Sequence, residues 1–134
     1  MNLKPCPCCG YLVFDEIGDS EICPICFWED DIVQLRFASL AGGANKPSLI
    51  EAQQNFIALG ACEERFQSEV RKPTDLDQCD PYWRTWDEKA DRFEKPIEEG
   101  ETLTPYPEDS TVLYYWRETY WRRTTQQDVS RLRR

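Results

Sequence analysis

Cys6-Pro7-Cys8-Cys9-Gly10 and Cys23-Pro24-Ile25-Cys26 decide the fold, because each stretch contains the tetrad Cys-Pro-x-Cys, with thirteen residues between Cys9 and Cys23. Such a tetrad can form a tight turn that presents two thiolates to one metal ion. A glycine after it, here Gly10, can adopt the positive φ needed where the chain leaves the turn. Four thiolates suit Zn²⁺, which prefers sulfur and accepts tetrahedral geometry. We therefore predict one structural zinc ion, bound by Cys6, Cys9, Cys23 and Cys26.

The chain has three more cysteines. Cys8 could be a spare thiol that points away from the metal, a ligand that exchanges with its neighbour, or a redox sensor with a lowered pKa. Cys62 and Cys79 have no partner at motif spacing, so we expect them to be small buried apolar residues. Four thiolates leave no coordination position for water, which predicts a structural metal rather than a catalytic one.

Length and charge limit the functions that fit this chain. Its 134 residues suffice for one domain, or for a zinc module with a second packed subdomain. A net charge of −9 disfavours binding to nucleic acid or to anionic membranes and favours a basic protein partner. Residues 117–134 depart from this trend, with six arginines and two acidic residues. The absence of histidine removes the usual general base, so we predict that the protein is not an enzyme.

The expected compartment is the cytoplasm. The first tetrad follows Met1 so closely that we expect no signal peptide, and no run approaches the ~20 apolar residues of a membrane helix. In a reducing cytosol, paired cysteines bind metal more often than they form lasting disulfides.

Between the tetrads, Tyr11–Phe14 has strand character, Gly18–Ser20 favours a turn, and Glu21–Ile22 leads back to the metal, which predicts a ribbon hairpin. Ser48 and Glu51 form the capping-box pattern that starts a helix, and Gly60 is placed to end it. Residues 61–72 favour a further short helical piece, and residues 74–80 favour a linker.

The sequence predicts a second long helix that starts at Asp80-Pro81 and runs to Phe93, because its aromatic residues fall on one broad face. Residues 94–109 are rich in acidic residues and proline and favour an exposed loop. Residues 111–121 have strand propensity but four-residue spacing, so strand and helix both stay open, and the spacing favours helix. The predicted fold is small α+β: an N-terminal zinc-ribbon hairpin with two knuckles, packed with two or three helices.

Acidic and aromatic residues supply the candidates for partner binding. Glu29-Asp30-Asp31 is interpreted mainly as a solvated acidic face, and Trp28, Trp86 and Trp116 as core residues. The aromatic residue types and arginine also concentrate binding energy at protein interfaces, an interpretation that suits Trp83 and Trp121. The residues that we select as candidates for partner binding are Glu29, Asp30, Asp31, Trp83, Trp86, Glu98, Glu99 and Glu101.

In several short motifs and in their order, the sequence resembles the bacterial CPCC family of cysteine-rich proteins. The motifs are Cys6–Tyr11, Glu21–Asp31, Gly42–Asn45, Ser48-Leu49, Glu51-Ala52, Asn55-Phe56 and Gly60-Ala61. The resemblance covers about residues 4–73 and implies a small bacterial cytosolic protein, without an established activity. Some members resemble the neutralising partners encoded beside secreted toxins. We expect a CPCC-type domain over residues 1–73 and a Trp/Tyr-rich extension over residues 74–134.

These observations predict a non-enzymatic, zinc-stabilised module that binds a basic protein, as an immunity protein that neutralises a cognate bacterial toxin by occlusion. One alternative is a zinc-ribbon regulator that contacts nucleic acid or the transcription machinery, for which the arginine-rich tail is the support. Another is a thiol redox sensor that works through Cys6–Cys9.

Overall fold

The computed structural model describes residues 2–91, 94 and 104–122. Its regular elements are strands β1 (Lys4–Pro5) and β2 (Leu12–Phe14), helices α1 (Ile32–Arg36) and α2 (Leu49–Leu59), and 3-10 helices at Glu64–Phe66 and Ser110–Leu113. A two-stranded antiparallel sheet near the N terminus and two helices agree with the predicted small α+β fold.

Strands β1 and β2 form a hairpin whose connection is the first tetrad. Lys4 lies opposite Phe14, and Pro5 lies opposite Leu12. The predicted strand at Tyr11–Phe14 is therefore confirmed for Leu12–Phe14, but its partner precedes the first tetrad instead of following it. Ile22 pairs with Glu29 in an isolated antiparallel bridge. This bridge closes a separate loop that contains the second tetrad.

Helix α2 begins and ends where the sequence predicts. The Ser48 Oγ accepts a hydrogen bond of 3.2 Å from the Glu51 N–H, and the Ser48 N–H donates one of 3.0 Å to the Glu51 carboxylate. Gly60 ends the helix with a φ of +79°. This helix buries Leu49 and Ala52 against the core beside the tetrads.

Helix α1 was not predicted, and the acidic cluster before it explains why it forms. Asp31 is its N-cap: the carboxylate accepts hydrogen bonds of 2.8 Å from the Val33 N–H and 3.2 Å from the Gln34 N–H. The other carboxylate oxygen of Asp31 accepts one of 2.8 Å from the Ala44 N–H. The charge of Asp31 therefore compensates the free N–H groups at a helix start and fixes the following loop.

The prediction of a second long helix from Asp80 onwards is wrong, since residues 81–91 contain no helix. Asp80 does start a turn: its carboxylate accepts a hydrogen bond of 3.0 Å from the Tyr82 N–H. The turn does not continue as a helix, because the Trp86 N–H donates to the Gln53 side chain, at 2.9 Å, instead of to a carbonyl four residues earlier. Residues 111–121 likewise form a 3-10 helix and turns, and neither a continuous helix nor a strand.

The core lies between the tetrads, α2 and the aromatic residues of the extension. Trp28, Trp86 and Trp116 are 0%, 7% and 5% exposed, which confirms the prediction that they belong to the core. Leu113, Tyr114 and Tyr115 from the extension are buried in the same cluster. The N-terminal ribbon and the extension thus share one core.

A charged network joins α1 to the extension. The Arg36 side chain is fully buried and makes paired hydrogen bonds of 3.1 and 2.6 Å to the Glu94 carboxylate. Arg122 donates two further bonds of 3.0 Å to the same carboxylate. The rings of Tyr106 and Trp121 lie 4.5 and 5.0 Å from the Arg36 guanidinium carbon. Most of the predicted acidic loop at 94–109 lies outside the described residues.

Among the residues that the structure describes, no helix has the length and apolar character needed to cross a membrane.

Candidate metal centre

Four cysteine sulfurs meet at the centre of the ribbon. One sulfur from each of Cys6, Cys9, Cys23 and Cys26 lies within 4.8 Å of the other three, and all four side chains are at most 1% exposed. The Cys6–Cys26 sulfurs are 3.5 Å apart and the Cys9–Cys23 sulfurs 3.7 Å apart. Metal–sulfur bonds of about 2.3 Å place tetrahedral thiolates about 3.8 Å apart. The geometry therefore fits one metal ion bound by these four predicted ligands.

The two tetrads form the same local structure. In the first, the Cys6 carbonyl accepts a hydrogen bond of 2.7 Å from the Gly10 N–H; in the second, the Cys23 carbonyl accepts one of 2.9 Å from the Phe27 N–H. The chain leaves both turns with positive φ, +83° at Gly10 and +72° at Phe27. The prediction for Gly10 is confirmed, whereas the second turn accepts the same conformation with a phenylalanine. Phe27 packs against Phe66, with 4.5 Å between the ring centroids.

Burial and mutual hydrogen bonding shift the thiol pKa values in opposite directions. Burial raises the pKa values of Cys6 and Cys26. Hydrogen bonds from Cys26, Cys6 and Cys9 lower that of Cys23. The Cys23 sulfur also accepts a hydrogen bond of 3.4 Å from the Ile25 N–H, which favours the thiolate form. A cation bound among the four would stabilise all of them as thiolates, the form in which cysteine coordinates metal.

Hydrogen bonds from outside hold the first tetrad in place. Tyr114 Oη–H donates a bond of 2.8 Å to the Pro5 carbonyl, and Trp83 Nε1–H donates one of 2.9 Å to the Pro7 carbonyl. The Asp80 N–H donates one of 2.8 Å to the Gly10 carbonyl. All three donors belong to the extension. The second tetrad is held by a residue nearer to it in the sequence: the Cys26 carbonyl accepts a bond of 2.7 Å from the Cys62 N–H.

A metal ion bound at this centre would have a structural role. Four protein sulfurs complete a tetrahedral coordination sphere, and their burial leaves no open side for water or substrate. A metal ion bound here would join two loops that share no strand and would stabilise the folded state by its binding energy.

The remaining cysteines lie in three different surroundings. Cys8 is fully buried but does not belong to the group of four sulfurs. Cys62 is also fully buried, as predicted, and burial raises the pKa of its thiol. Cys79 is exposed, so its predicted burial is wrong. It pairs with Tyr11 at the edge of β2, and this backbone pairing leaves its side chain on the surface.

Part of the predicted acidic face, Glu29-Asp30-Asp31, is buried inside the fold. Asp30 is 4% exposed and accepts hydrogen bonds from the N–H groups of Gly18 and Asp19, at 2.5 and 3.0 Å. Burial raises its pKa against the lowering effect of these bonds. The interpretation of Asp30 as solvated is therefore wrong, and Asp31 caps α1. Glu29 is half-buried, with its N–H and carbonyl bonded to the Asn45 side chain.

Of the aromatic candidates, Trp86 is buried and Trp83 half-buried against Gly10. Glu98, Glu99 and Glu101 lie outside the described residues. The partner-binding role selected for these eight residues stays a prediction.

Sequence reasoning missed Gln53, which connects the metal ribbon to the extension. Its Nε2 donates hydrogen bonds of 3.0 Å to the Pro7 carbonyl and 2.7 Å to Tyr115 Oη, and its Oε1 accepts from the Trp86 N–H. The side chain is fully buried. A signal was present, because position 53 falls in the helical stripe of Leu49, Ala52 and Phe56, where a polar residue marks a buried hydrogen-bond site.

Comparison with known proteins places this centre in a family. The family model described as cysteine-rich CPCC matches residues 4–77, which include both tetrads and α2. Comparison with curated proteins gave no match. The matched region is 74 of 134 residues, more than half of the chain, and it confirms the resemblance inferred from the sequence over about residues 4–73. The chain therefore belongs to the cysteine-rich CPCC family.

Proposed function

We propose that this protein is a non-enzymatic binding module, stabilised by one structural Zn²⁺, that acts in the cytoplasm by occluding a basic protein partner. The partner that we propose is a bacterial toxin, and the chain is then its immunity protein. The observation that carries the proposal is the closed centre of four cysteines, each at most 1% exposed. Such a centre maintains a fold and has no position for a reacting molecule.

The composition supports a binding role over a catalytic one. The chain has no histidine, and the buried carboxylates of Asp30, Asp80 and Asp91 accept hydrogen bonds inside the fold. A net charge of −9 would accelerate encounter with a basic protein through long-range attraction. Occlusion requires a stable surface of suitable charge and no chemical step.

The alternatives gain less support. In the arginine-rich tail, Arg117 and Arg122 bind Asp80 and Glu94 of the same chain, which reduces the charge available for nucleic acid. The thiols of the tetrads, including Cys8, are buried, whereas redox-sensor cysteines are accessible to their oxidant.

Two experiments test the proposal. Metal analysis of the pure, reduced protein should find one zinc ion per chain, and a metal-free protein would contradict the structural role. The second experiment sequences the neighbours of the gene and expresses the chain together with any toxin-like reading frame found there. We expect the full chain to restore growth, the Cys9→Ser variant to fail, and the exposed control Cys79→Ser to restore growth. Growth arrest that persists with the full chain would contradict the immunity function.

A further inference from the structure

A surface groove runs beside β2, and it lies apart from the metal centre. Leu3, Leu12, Leu76 and Pro81 form its apolar lining, and Asp77 and Asp80 contribute carboxylates. Its volume of about 480 Å³ is large enough to receive side chains of another protein. Leu76 is 92% exposed, the largest value among the exposed hydrophobic side chains of the described residues.

The backbone under Leu76 is fixed. The Asp77 carboxylate accepts a hydrogen bond of 2.7 Å from the Thr74 N–H, and the Asp77 N–H donates one of 3.0 Å to the Thr74 carbonyl. Arg71 adds two bonds of 2.8 Å to the same carboxylate. Leu76 is thus an apolar side chain presented to solvent by an ordered turn, and such preorganisation lowers the entropic cost of binding.

Asp80 and Pro81, which also line the groove, are fixed in a similar way. The Tyr82 side chain, next to Pro81, is 75% exposed, while its N–H is bonded to Asp80. Asp80 in turn accepts hydrogen bonds from Trp116 Nε1–H at 2.9 Å and from Arg117 at 3.1 Å. Tyrosine concentrates binding energy at interfaces because it combines a large apolar area with a hydroxyl group.

The charge around the groove selects the chemistry of the partner. The lining carboxylates of Asp77 and Asp80 form ion pairs with Arg71 and Arg117, and Arg117 also lines the groove. The charge left for a partner is that of Asp75, the residue before Leu76. Asp75 is exposed, and the whole chain has a net charge of −9. A complementary surface therefore has apolar side chains for the groove and Lys or Arg at its edge.

We propose that this groove is the docking surface of the protein: a basic segment of a partner protein inserts an apolar side chain beside Leu76 and contacts Tyr82. This inference rests on the proposed binding function and assigns it to a surface.

The test uses the full, zinc-loaded chain with a photoreactive amino acid in place of Leu76 or, as a control, in place of Ile57. Ile57 is 63% exposed on α2 and does not line the groove. After illumination in cytosol of the source organism, mass spectrometry identifies the cross-linked protein and the attached segment. We expect a partner at position 76 and not at position 57, attached through a segment that contains Lys or Arg. The captured protein is then purified for binding measurements.

Binding of the purified partner should weaken at least tenfold with Leu76→Ala and stay unchanged with Ile57→Ala, as measured by calorimetry. Asp75→Lys should slow association at low salt. Both alanine variants should keep the near-ultraviolet circular dichroism and zinc content of the parent protein, since both positions are exposed. Capture at position 57 alone, or unchanged affinity with Leu76→Ala, overturns the assignment and leaves the binding function standing. A second copy of this chain as the captured protein also overturns it. Capture at neither position overturns the binding function as well.

Discussion

The indole Nε1–H of Trp83 donates a hydrogen bond of 2.9 Å to the carbonyl oxygen of Pro7, the proline of the first tetrad. Trp83 lies beyond residues 4–77, the region that matches the family. Part of the extension therefore contacts the metal ribbon directly and supports its geometry. The predictions below concern this contact, the four-cysteine centre, and the hydrogen bonds of Gln53 and Glu94.

Gly10→Ala should destabilise the protein more than Gly42→Ala. Both glycines have positive φ, +83° and +81°, and a left-handed conformation costs an L-residue about 1–2 kcal/mol. A Cβ at Gly10 would also lie 2.6 Å from Cγ of Trp83, whereas at Gly42 it would meet nothing within 4 Å. We expect Gly10→Ala to cost about 2 kcal/mol more, because overpacking costs roughly 1–3 kcal/mol. Urea denaturation of the two variants checks this, and equal losses would contradict the close contact.

Loss of the metal should unfold the ribbon. Substitution of Cys23 by serine removes one of the four buried sulfurs, and we expect the variant to bind no metal ion at this centre and to lose much of its near-ultraviolet circular dichroism. Treatment of the parent protein with a metal chelator should have the same effect. Cys79→Ser is the matched control, because Cys79 is exposed and lies outside the group of four. A Cys23→Ser protein with the metal content and spectrum of the parent would show that the four-cysteine centre is not needed for the fold.

Gln53→Ala should be strongly destabilising, although glutamine is usually tolerant of substitution. The change removes three hydrogen bonds, to Pro7, Tyr115 and Trp86, and leaves a cavity at a fully buried site. We expect a loss of about 3 kcal/mol, from net values of ~1 kcal/mol per hydrogen bond and the cavity. Gln54→Ala, at the exposed neighbouring position of α2, should change stability by less than ~0.5 kcal/mol. Thermal unfolding measures both, and a similar effect of the two changes would argue against the role of Gln53.

Glu94 should make stability depend on pH. Burial opposes ionisation of its carboxyl group, but hydrogen bonds from Arg36 and Arg122 outweigh this effect and lower its pKa below the ordinary value of 4.5. A lowered pKa in the folded state gives stability that is complete above pH 4.5 and is lost as the pH falls through the folded-state pKa. Glu94→Gln should therefore cost about 2–3 kcal/mol at pH 7, below the ~3–5 kcal/mol of a fully buried pair because Glu94 is 19% exposed.

The measurement is urea unfolding of the parent and the Glu94→Gln variant from pH 7 down to pH 4. Titration of the thiols affects both proteins equally, so the difference between them isolates the carboxyl group. That difference should shrink below pH 4.5. Glu118→Gln, at an exposed position in the extension, should leave stability unchanged. A difference that grows as the pH falls would have the wrong sign for a lowered pKa.

Local patterns predicted those features that depend on neighbours in the chain. The spacing of Cys6, Cys9, Cys23 and Cys26 indicated the metal centre, and Ser48, Glu51 and Gly60 fixed both ends of α2. These signals are reliable because a turn or a cap is formed by residues a few positions apart.

The failures come from contacts between distant parts of the chain. The aromatic face of residues 80–93 suggested a helix, but the Trp86 N–H donates to the Gln53 side chain in place of a helical carbonyl, and the Trp83 indole donates to the Pro7 carbonyl. Likewise, the charge of Asp30 indicated solvent, whereas the N–H groups of Gly18 and Asp19 enclose it. No periodicity in the sequence records partners that lie eleven to seventy-six residues away.

The Pro5, Pro7 and Gly10 carbonyls each accept a hydrogen bond from a donor within residues 80–114, and this has a consequence for biosynthesis. Chains are synthesised from the N terminus, so a nascent chain displays its cysteines long before these donors leave the ribosome. The early thiols are then open to whichever cation the cell supplies. Only a nearly completed polypeptide can close over the centre and prevent exchange of an ion bound there.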